Sequence, residues 1–263
     1  SGLGYEEATP IQSETIPAVL SGRDVVGVAQ TGTGKTAAFA LPVLATLDYQ
    51  RRVPQVLVLC PTRELSMQVA DAFRSYAKAS PGCRVVALCG GNDMRQQLRA
   101  LKDGVHIVVA TPGRLLDHLK RGSADFSQIK TVVLDEADEM LSMGFKDDLE
   151  SIFQSTPSKK QVLLFSATMT PKVVKVTKKY MQKPKKIAVA KENLGAENIE
   201  HYFYMVSEKN RYEAIKRIAD LNPDIYGIVF CRTRKETKEV ASKLMNDQYN
   251  ADTIHGDLSQ SER

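Results

Sequence analysis

Six short apolar runs constrain this chain more than any other feature: Asp24 to Ala29, Gln55 to Cys60, Arg84 to Cys89, His106 to Ala110, Thr131 to Asp135 and Gln161 to Ser166. Their aliphatic and β-branched residues follow one another with no polar residue at every second place. A strand with one wet face alternates, whereas a strand covered on both faces does not. Between the runs lie segments with helical spacing, among them Lys35 to Asp48, Arg63 to Ala79, Gly113 to Lys120 and Asp147 to Phe153. Strand and helix in turn predict an α/β fold, a parallel sheet with helices on both faces. Ligands of such sheets sit beyond the carboxyl ends of the strands, so the residues after each run are the candidates for chemistry.

The 263 residues, 43% apolar and 25% charged, suffice for one large α/β domain and part of a second. No apolar run nears the roughly 18 residues that span a bilayer, and no basic-then-apolar leader opens the chain; the reading is cytoplasmic, with no membrane partner. The start at Ser1 rather than Met reads as a cut within a longer chain. A net charge of +5 suits a nucleic-acid partner without requiring one. Cys60, Cys83, Cys89 and Cys231 match no zinc spacing and lie in or beside apolar runs, as buried free thiols do.

The pattern breaks after the sixth run. Lys183-Pro184-Lys185-Lys186 and then Lys191 to Asn198 are polar and read as linker, giving a first domain over 1–190, a linker over 191–198 and a second block over 199–263. In that block Ile199 to Val206, Gly227 to Cys231 and Ala251 to His255 are expected strands, and Lys209 to Leu221 and Thr233 to Asn246 expected helices. This is about half of a domain of the first type, and an exposed apolar sheet edge is expected after Ile254. The lysines at 172, 175, 178, 179, 183, 185 and 186 read as a solvated face.

The first strand runs from Ala29 into Gln30-Thr31-Gly32-Thr33-Gly34-Lys35-Thr36 and then a helix. Ala29 stands where a strict phosphate-loop pattern has glycine. Gly32 and Gly34 still let backbone N–H groups curl around an anion, at a helix start that favours negative charge. Lys35 would reach the terminal phosphates and Thr36 would ligate Mg2+. The fifth strand delivers Asp135-Glu136-Ala137-Asp138 to its tip. There Asp135 suits a metal ion and Glu136 a water to be oriented and deprotonated. Together the loop and the acidic segment indicate Mg2+-dependent nucleotide hydrolysis.

Asp135-Glu136-Ala137-Asp138 with its flanking segments resembles the DEAD-box family of ATP-dependent RNA helicases. The likeness runs along essentially the whole chain and implies a P-loop NTPase of RecA-like fold followed by a truncated second RecA-like domain. Thr9-Pro10-Ile11-Gln12 resembles the family's Q motif, which implies that Gln12 reads adenine. Pro61-Thr62-Arg63-Glu64-Leu65, Gly90-Gly91 and Thr111-Pro112-Gly113-Arg114 resemble its RNA-contacting segments. Ser166-Ala167-Thr168 resembles the segment that couples hydrolysis to strand separation. Ile228 to Thr233, and Gln260-Ser261-Glu262-Arg263, resemble two motifs of the second domain, implying RNA contacts at Thr233, Gln260 and Arg263. Asp138 joins the nucleotide-site residues on the same ground. Taken singly, Thr111-Pro112 is also an ordinary helix entry, Gly90-Gly91 a turn, and Ser166-Ala167-Thr168 a cap for the helix after Pro171.

Two family features are missing: an aromatic residue upstream of the Q motif, for which Tyr5 is too close, and the arginine-rich segment that would follow Arg263. In related phosphoryl-transfer sites an arginine finger is worth about 10³–10⁵ in rate. The expectation is weak ATP turnover by this stretch alone, to be measured against a longer chain. The rival functions are an ATP-gated RNA clamp with little unwinding, and a DNA helicase or transporter-type ATPase. RNA over DNA rests on the resemblance.

Overall fold

The computed structural model describes residues 7–80, 82–189 and 200–258. They divide into two compact units, Ser1–Leu194 and Gly195–Arg263.

The first unit is built on one seven-stranded sheet: β1 (Val25–Val28), β2 (Val56–Leu59), β3 (Val85–Leu88), β4 (Ile107–Ala110), β5 (Thr131–Leu134), β6 (Gln161–Ser166) and β7 (Lys185–Ala188). The order across it is β3-β4-β2-β5-β6-β1-β7, and every pairing is parallel. The helices are α1 (Pro10–Leu20), α2 (Lys35–Ala45), α3 (Arg63–Tyr76), α4 (Met94–Lys102), α5 (Pro112–Lys120), α6 (Ala137–Ser142), α7 (Lys146–Gln154) and α8 (Pro171–Tyr180). Successive strand residues point to opposite faces, and both faces are dry. Val56, Val58, Val109 and Phe165 pack with Phe39 of α2 and Phe73 of α3. Leu57, Leu59, Val108 and Leu164 pack with Leu115, Met140, Ile152 and Val173 of α5 to α8. This double burial is why the runs lack alternation.

The seventh strand corrects the sequence reading. Lys185 and Lys186, taken as linker, open an edge strand in register with Val25 and Val26, and its Ile187 is buried. Lysines on an edge blunt its tendency to pair with other chains, and they masked the strand in the pattern. The lysines of α8 are exposed as expected; Lys179 pairs with Glu150 at 2.8 Å.

In the second unit α9 (Arg211–Leu221) and α10 (Arg234–Asn246) form where helices were expected. The three expected strands do not: 200–206, 227–231 and 251–255 carry no strand among the described residues. An extended segment becomes a strand only through a partner's hydrogen bonds. These stretches have none, and Phe203, Met205, Tyr226, Ile228, Phe230 and Ile254 stand exposed. Among the described residues no helix is long and apolar enough to cross a membrane. All four cysteines are free; Cys60 and Cys89 are buried, Cys83 and Cys231 only half-buried.

Candidate functional site

Six loops leave the carboxyl end of the sheet, and the strand order sorts them. The loops after β5, β6 and β1 carry Asp135 to Asp138, Ser166 to Thr168 and Gln30 to Thr36. Those after β3, β4 and β2 carry Gly90-Gly91, Thr111 to Arg114 and Pro61 to Arg63. Along the chain the second set falls between the β1 loop and the β5 and β6 loops; across the sheet each set occupies three neighbouring strand ends.

In the phosphate loop Gly32 and Gly34 have φ of 84° and 90°, a region open to glycine at no steric cost. Thr31 is exposed and Thr33 hydroxyl donates to Gln30 carbonyl at 2.8 Å. Lys35 is buried, and its Nζ donates to Ala29 carbonyl at 3.0 Å, so the ammonium is held by its own loop. Ala29 sits in the core and donates its N–H to Ser166 carbonyl at 3.1 Å. Gln12 of α1 closes the loop from the side. Its Oε1 accepts from Thr9 N–H at 3.1 Å and its Nε2 donates to Gly34 carbonyl at 3.2 Å. One amide hydrogen and one lone pair of Gln12 remain for a base edge. The Thr9 hydroxyl is buried beside Gly34, facing the first turn of α1 in a capping box with Gln12.

At the tip of β5 Asp135 is 3% exposed. Burial is the main reason its carboxyl is pushed up to about 6, with Lys35 opposing the shift and Glu136 adding to it. Glu136 has φ of 51°, a left-handed conformation rare outside glycine, at the start of α6. Asp138, half-buried one turn on, reaches across to β6: its Oδ2 accepts from Thr168 N–H at 2.9 Å and Thr168 hydroxyl at 2.7 Å. Burial works to raise Asp138, but hydrogen bonding, chiefly from Thr168, outweighs it and holds the carboxylate below its usual range. Ser166 hydroxyl donates to Thr168 carbonyl at 2.7 Å. The acidic segment and Ser166-Ala167-Thr168 thus form one hydrogen-bonded unit. The helix after Pro171 takes its cap elsewhere, from Thr170.

The other three loops also touch. Arg63 donates to Asn92 Oδ1 at 2.9 Å, and its guanidinium lies over Gly91, where a Cβ would fall 1.8 Å from Nη1. Thr62 hydroxyl caps α3 by accepting from Leu65 N–H at 3.2 Å. Thr111 holds the corresponding place before α5, but its hydroxyl makes no capping bond, contrary to expectation. Pro61 and Pro112 are buried and Gly113 is exposed. Arg114 approaches Gln97 Oε1 at 3.5 Å. Asn92, Gln97 and His118, buried or half-buried in this group, escaped the sequence reading. Met94, Gln97 and Leu101 recur at helical spacing, and a glutamine within that stripe was the available signal.

In the second unit Thr233 caps α10 by accepting from Glu236 N–H at 3.1 Å. Gln260 and Arg263 lie outside the described residues, as does Tyr5. A recess of about 820 Å³, lined by Arg23, Asp24, Lys130, Lys160 and Lys183 among others, opens at the amino end of the sheet, away from all six loops.

The profile of the DEAD/DEAH box helicase family matches residues 9–176, from Thr9 through Ser166-Ala167-Thr168. The chain belongs to this family. It is 47% identical over 261 residues to the ATP-dependent RNA helicase DeaD of Mycobacterium tuberculosis, covering 99% of this chain and 46% of that one. It is 43% identical to the DEAD-box ATP-dependent RNA helicase CshA of Geobacillus kaustophilus, covering 99% and 56%. The chain therefore spans about half the length of these relatives. A crystal structure of a DEAD box protein from the hyperthermophile Methanococcus jannaschii matches with a TM-score of 0.69 at 42% identity, over 99% of this chain and 70% of that one. That match and the all-parallel sheet give the RecA-like fold.

Proposed function

We propose that this chain is the ATP-binding part of an RNA helicase, which couples ATP binding and hydrolysis to clamping RNA and opening a short duplex. The observation that carries it is the sorting of the six loops. Phosphate-binding and acidic groups occupy three neighbouring strand ends, and Arg63, Gly91 and Arg114 the next three. The relatives' names, which specify ATP and RNA, support the same reading.

The loop glycines aim backbone N–H groups at the phosphates, and Lys35 exchanges Ala29 carbonyl for a terminal phosphate oxygen. Gln12 senses the adenine edge and reports it to Gly34 through the bond it already makes. The donor set fits Mg2+: a buried Asp135 carboxylate, destabilised by burial, and the Thr36 hydroxyl in the first turn of α2. No cluster of three His, Cys, Asp or Glu able to hold a metal occurs among the described residues. For Mg2+ the remaining ligands would come from phosphate oxygens and water. Asp135 and Thr36 would hold it, and it would neutralise charge on the phosphates. Glu136 orients a water and takes its proton. Asp138 fixes Thr168, so a shift at the acidic segment moves the β6 loop with it. Arg63, Arg114, Gly90, Gly91, Thr111 and the neighbouring N–H groups grip phosphates without reading bases.

ATPase activity of the full-length protein, measured alone, with RNA and with DNA of equal length, tests the reading. Selective stimulation by RNA is expected; equal stimulation by DNA would remove the RNA assignment. Displacement of a short RNA strand separates a helicase from an ATP-gated clamp.

A further inference from the structure

Helix α4 buries a single residue, and that residue is polar: Gln97 is 3% exposed. Its amide meets three groups on two neighbouring segments. Nε2 donates to Cys89 carbonyl at 3.0 Å, the residue directly before Gly90-Gly91. Oε1 faces His118 Nε2 at 3.0 Å and Arg114 Nη1 at 3.5 Å, both on α5. The orientation is fixed chemically. A carbonyl only accepts and a guanidinium only donates, so the amide cannot be turned round without losing both bonds. It follows that His118 Nε2 carries a hydrogen and donates to Gln97. Ser123 hydroxyl lies 2.9 Å from the other ring nitrogen, Nδ1. His118 is fully buried; that burial first, and then Arg114, lower its pKa and keep the ring neutral.

We propose that Gln97 is a positioning residue for nucleic-acid binding, which locks the Gly90-Gly91 loop to Arg114 so that the ends of β3 and β4 present their phosphate contacts as one rigid unit. This deepens the proposed function and rests on its reading of Arg114 and Gly90-Gly91 as RNA contacts. A surface arginine on a free side chain loses rotamer freedom when it meets a phosphate. An arginine already directed by a buried amide loses less, so the gain appears as affinity. The same amide pins the carbonyl ahead of two glycines that would otherwise leave their loop loosely defined. The spacing supports a local role: Gln97 touches none of the residues assigned to the nucleotide.

The test uses the full-length protein with Gln97→Met, which keeps length and removes both polar ends, Gln97→Glu, Arg114→Ala, and the double variant Gln97→Met with Arg114→Ala. Two quantities are read: the RNA concentration for half-maximal ATPase, and the affinity for a fluorescent ADP analogue. Gln97→Met is expected to raise the RNA requirement roughly tenfold while nucleotide affinity stays within about twofold. Gln97→Glu keeps acceptors for His118 and Arg114, adds a charge that pairs with Arg114, and sets a carboxylate oxygen against Cys89 carbonyl in place of the donor, so it should hold Arg114 while freeing the Gly90-Gly91 loop and fall between wild type and Gln97→Met. The double variant should be weaker than wild type by less than the product of the single effects, because Gln97 acts partly through Arg114. Multiplicative effects, or an equal loss of nucleotide affinity, would overturn the proposal. So would an unchanged Gln97→Met beside a weakened Arg114→Ala. An unchanged Arg114→Ala removes the RNA reading itself, and the inference with it. If Gln97→Met does not fold, Gln97→Glu is compared with Arg114→Ala by the same criteria.

Discussion

A Cβ added at Gly34 would lie 2.4 Å from Gln12 Nε2, on a backbone with φ of 90°. The obstructing atom is the tip of a flexible side chain, so the fold can yield by moving Gln12 away. Gly34→Ala is therefore expected to cost about 1–3 kcal/mol through backbone strain and to lower nucleotide affinity about tenfold or more. Denaturant melts and nucleotide titration measure the two effects. Lys35→Ala should abolish nucleotide binding, whereas Glu136→Gln should bind normally and fail to hydrolyse. Normal turnover by Glu136→Gln would show that another group is the base. Asp135 gives a pH prediction. Its folded pKa, about 6, lies above the ordinary carboxylate value of 3.8. Its stabilising contribution is complete below pH 4 or so and is lost as pH rises through 6, by about 3 kcal/mol in all. In Mg2+-free, nucleotide-free protein, Asp135→Asn should therefore be the more stable form at pH 7.5, with the difference fading by pH 4. Equal pH profiles in urea unfolding would contradict the assigned shift.

Among the elements, β7 rests on a side chain that no motif points to. Asp24, 7% exposed, accepts from Val162 N–H at 2.8 Å and Gln182 N–H at 2.6 Å, tying the start of β6 to the turn before β7. Asp24→Ala leaves both N–H groups without a partner and should cost about 2–4 kcal/mol. Ile187→Ala, in the strand itself, should cost about 2–4 kcal/mol through lost burial and a residual cavity. Thermal melts check both, and an unshifted Tm for Asp24→Ala would mean that β7 is held by packing alone. The helices show what local chemistry can announce. Thr62 and Thr233 cap α3 and α10, while Thr111 occupies a cap position and leaves its hydroxyl unused for capping.

For the whole molecule, the exposed apolar side chains are concentrated in the second unit: Phe203, Met205 and Phe230 are 86%, 91% and 91% exposed. Patches of this kind bind apolar probes. The 263-residue chain should enhance the fluorescence of a hydrophobic dye, and the pair Phe203→Ser and Phe230→Ser should remove much of that signal without changing nucleotide affinity. Undiminished dye binding would place the patch elsewhere. The first six strands, the helices α2, α3, α5 and α7, the phosphate loop and the acidic segment were legible in the sequence. Their signals are local: unbroken apolar runs, glycines before a lysine, carboxylates after a strand. The edge strand β7 was not legible, because lysines suit an edge and resemble a linker. The expected strands of the second unit failed because a strand depends on a partner that a single run of residues cannot specify. The sequence by itself determined which residues each loop carries. Only the tertiary structure decided which loops are neighbours, because the sheet is wound in the order β3-β4-β2-β5-β6-β1-β7 rather than the order of the chain. That winding sets Asp138 against Thr168 and Arg63 over Gly91, and it buries Gln97 between Cys89 and Arg114, contacts that depend on distances through space.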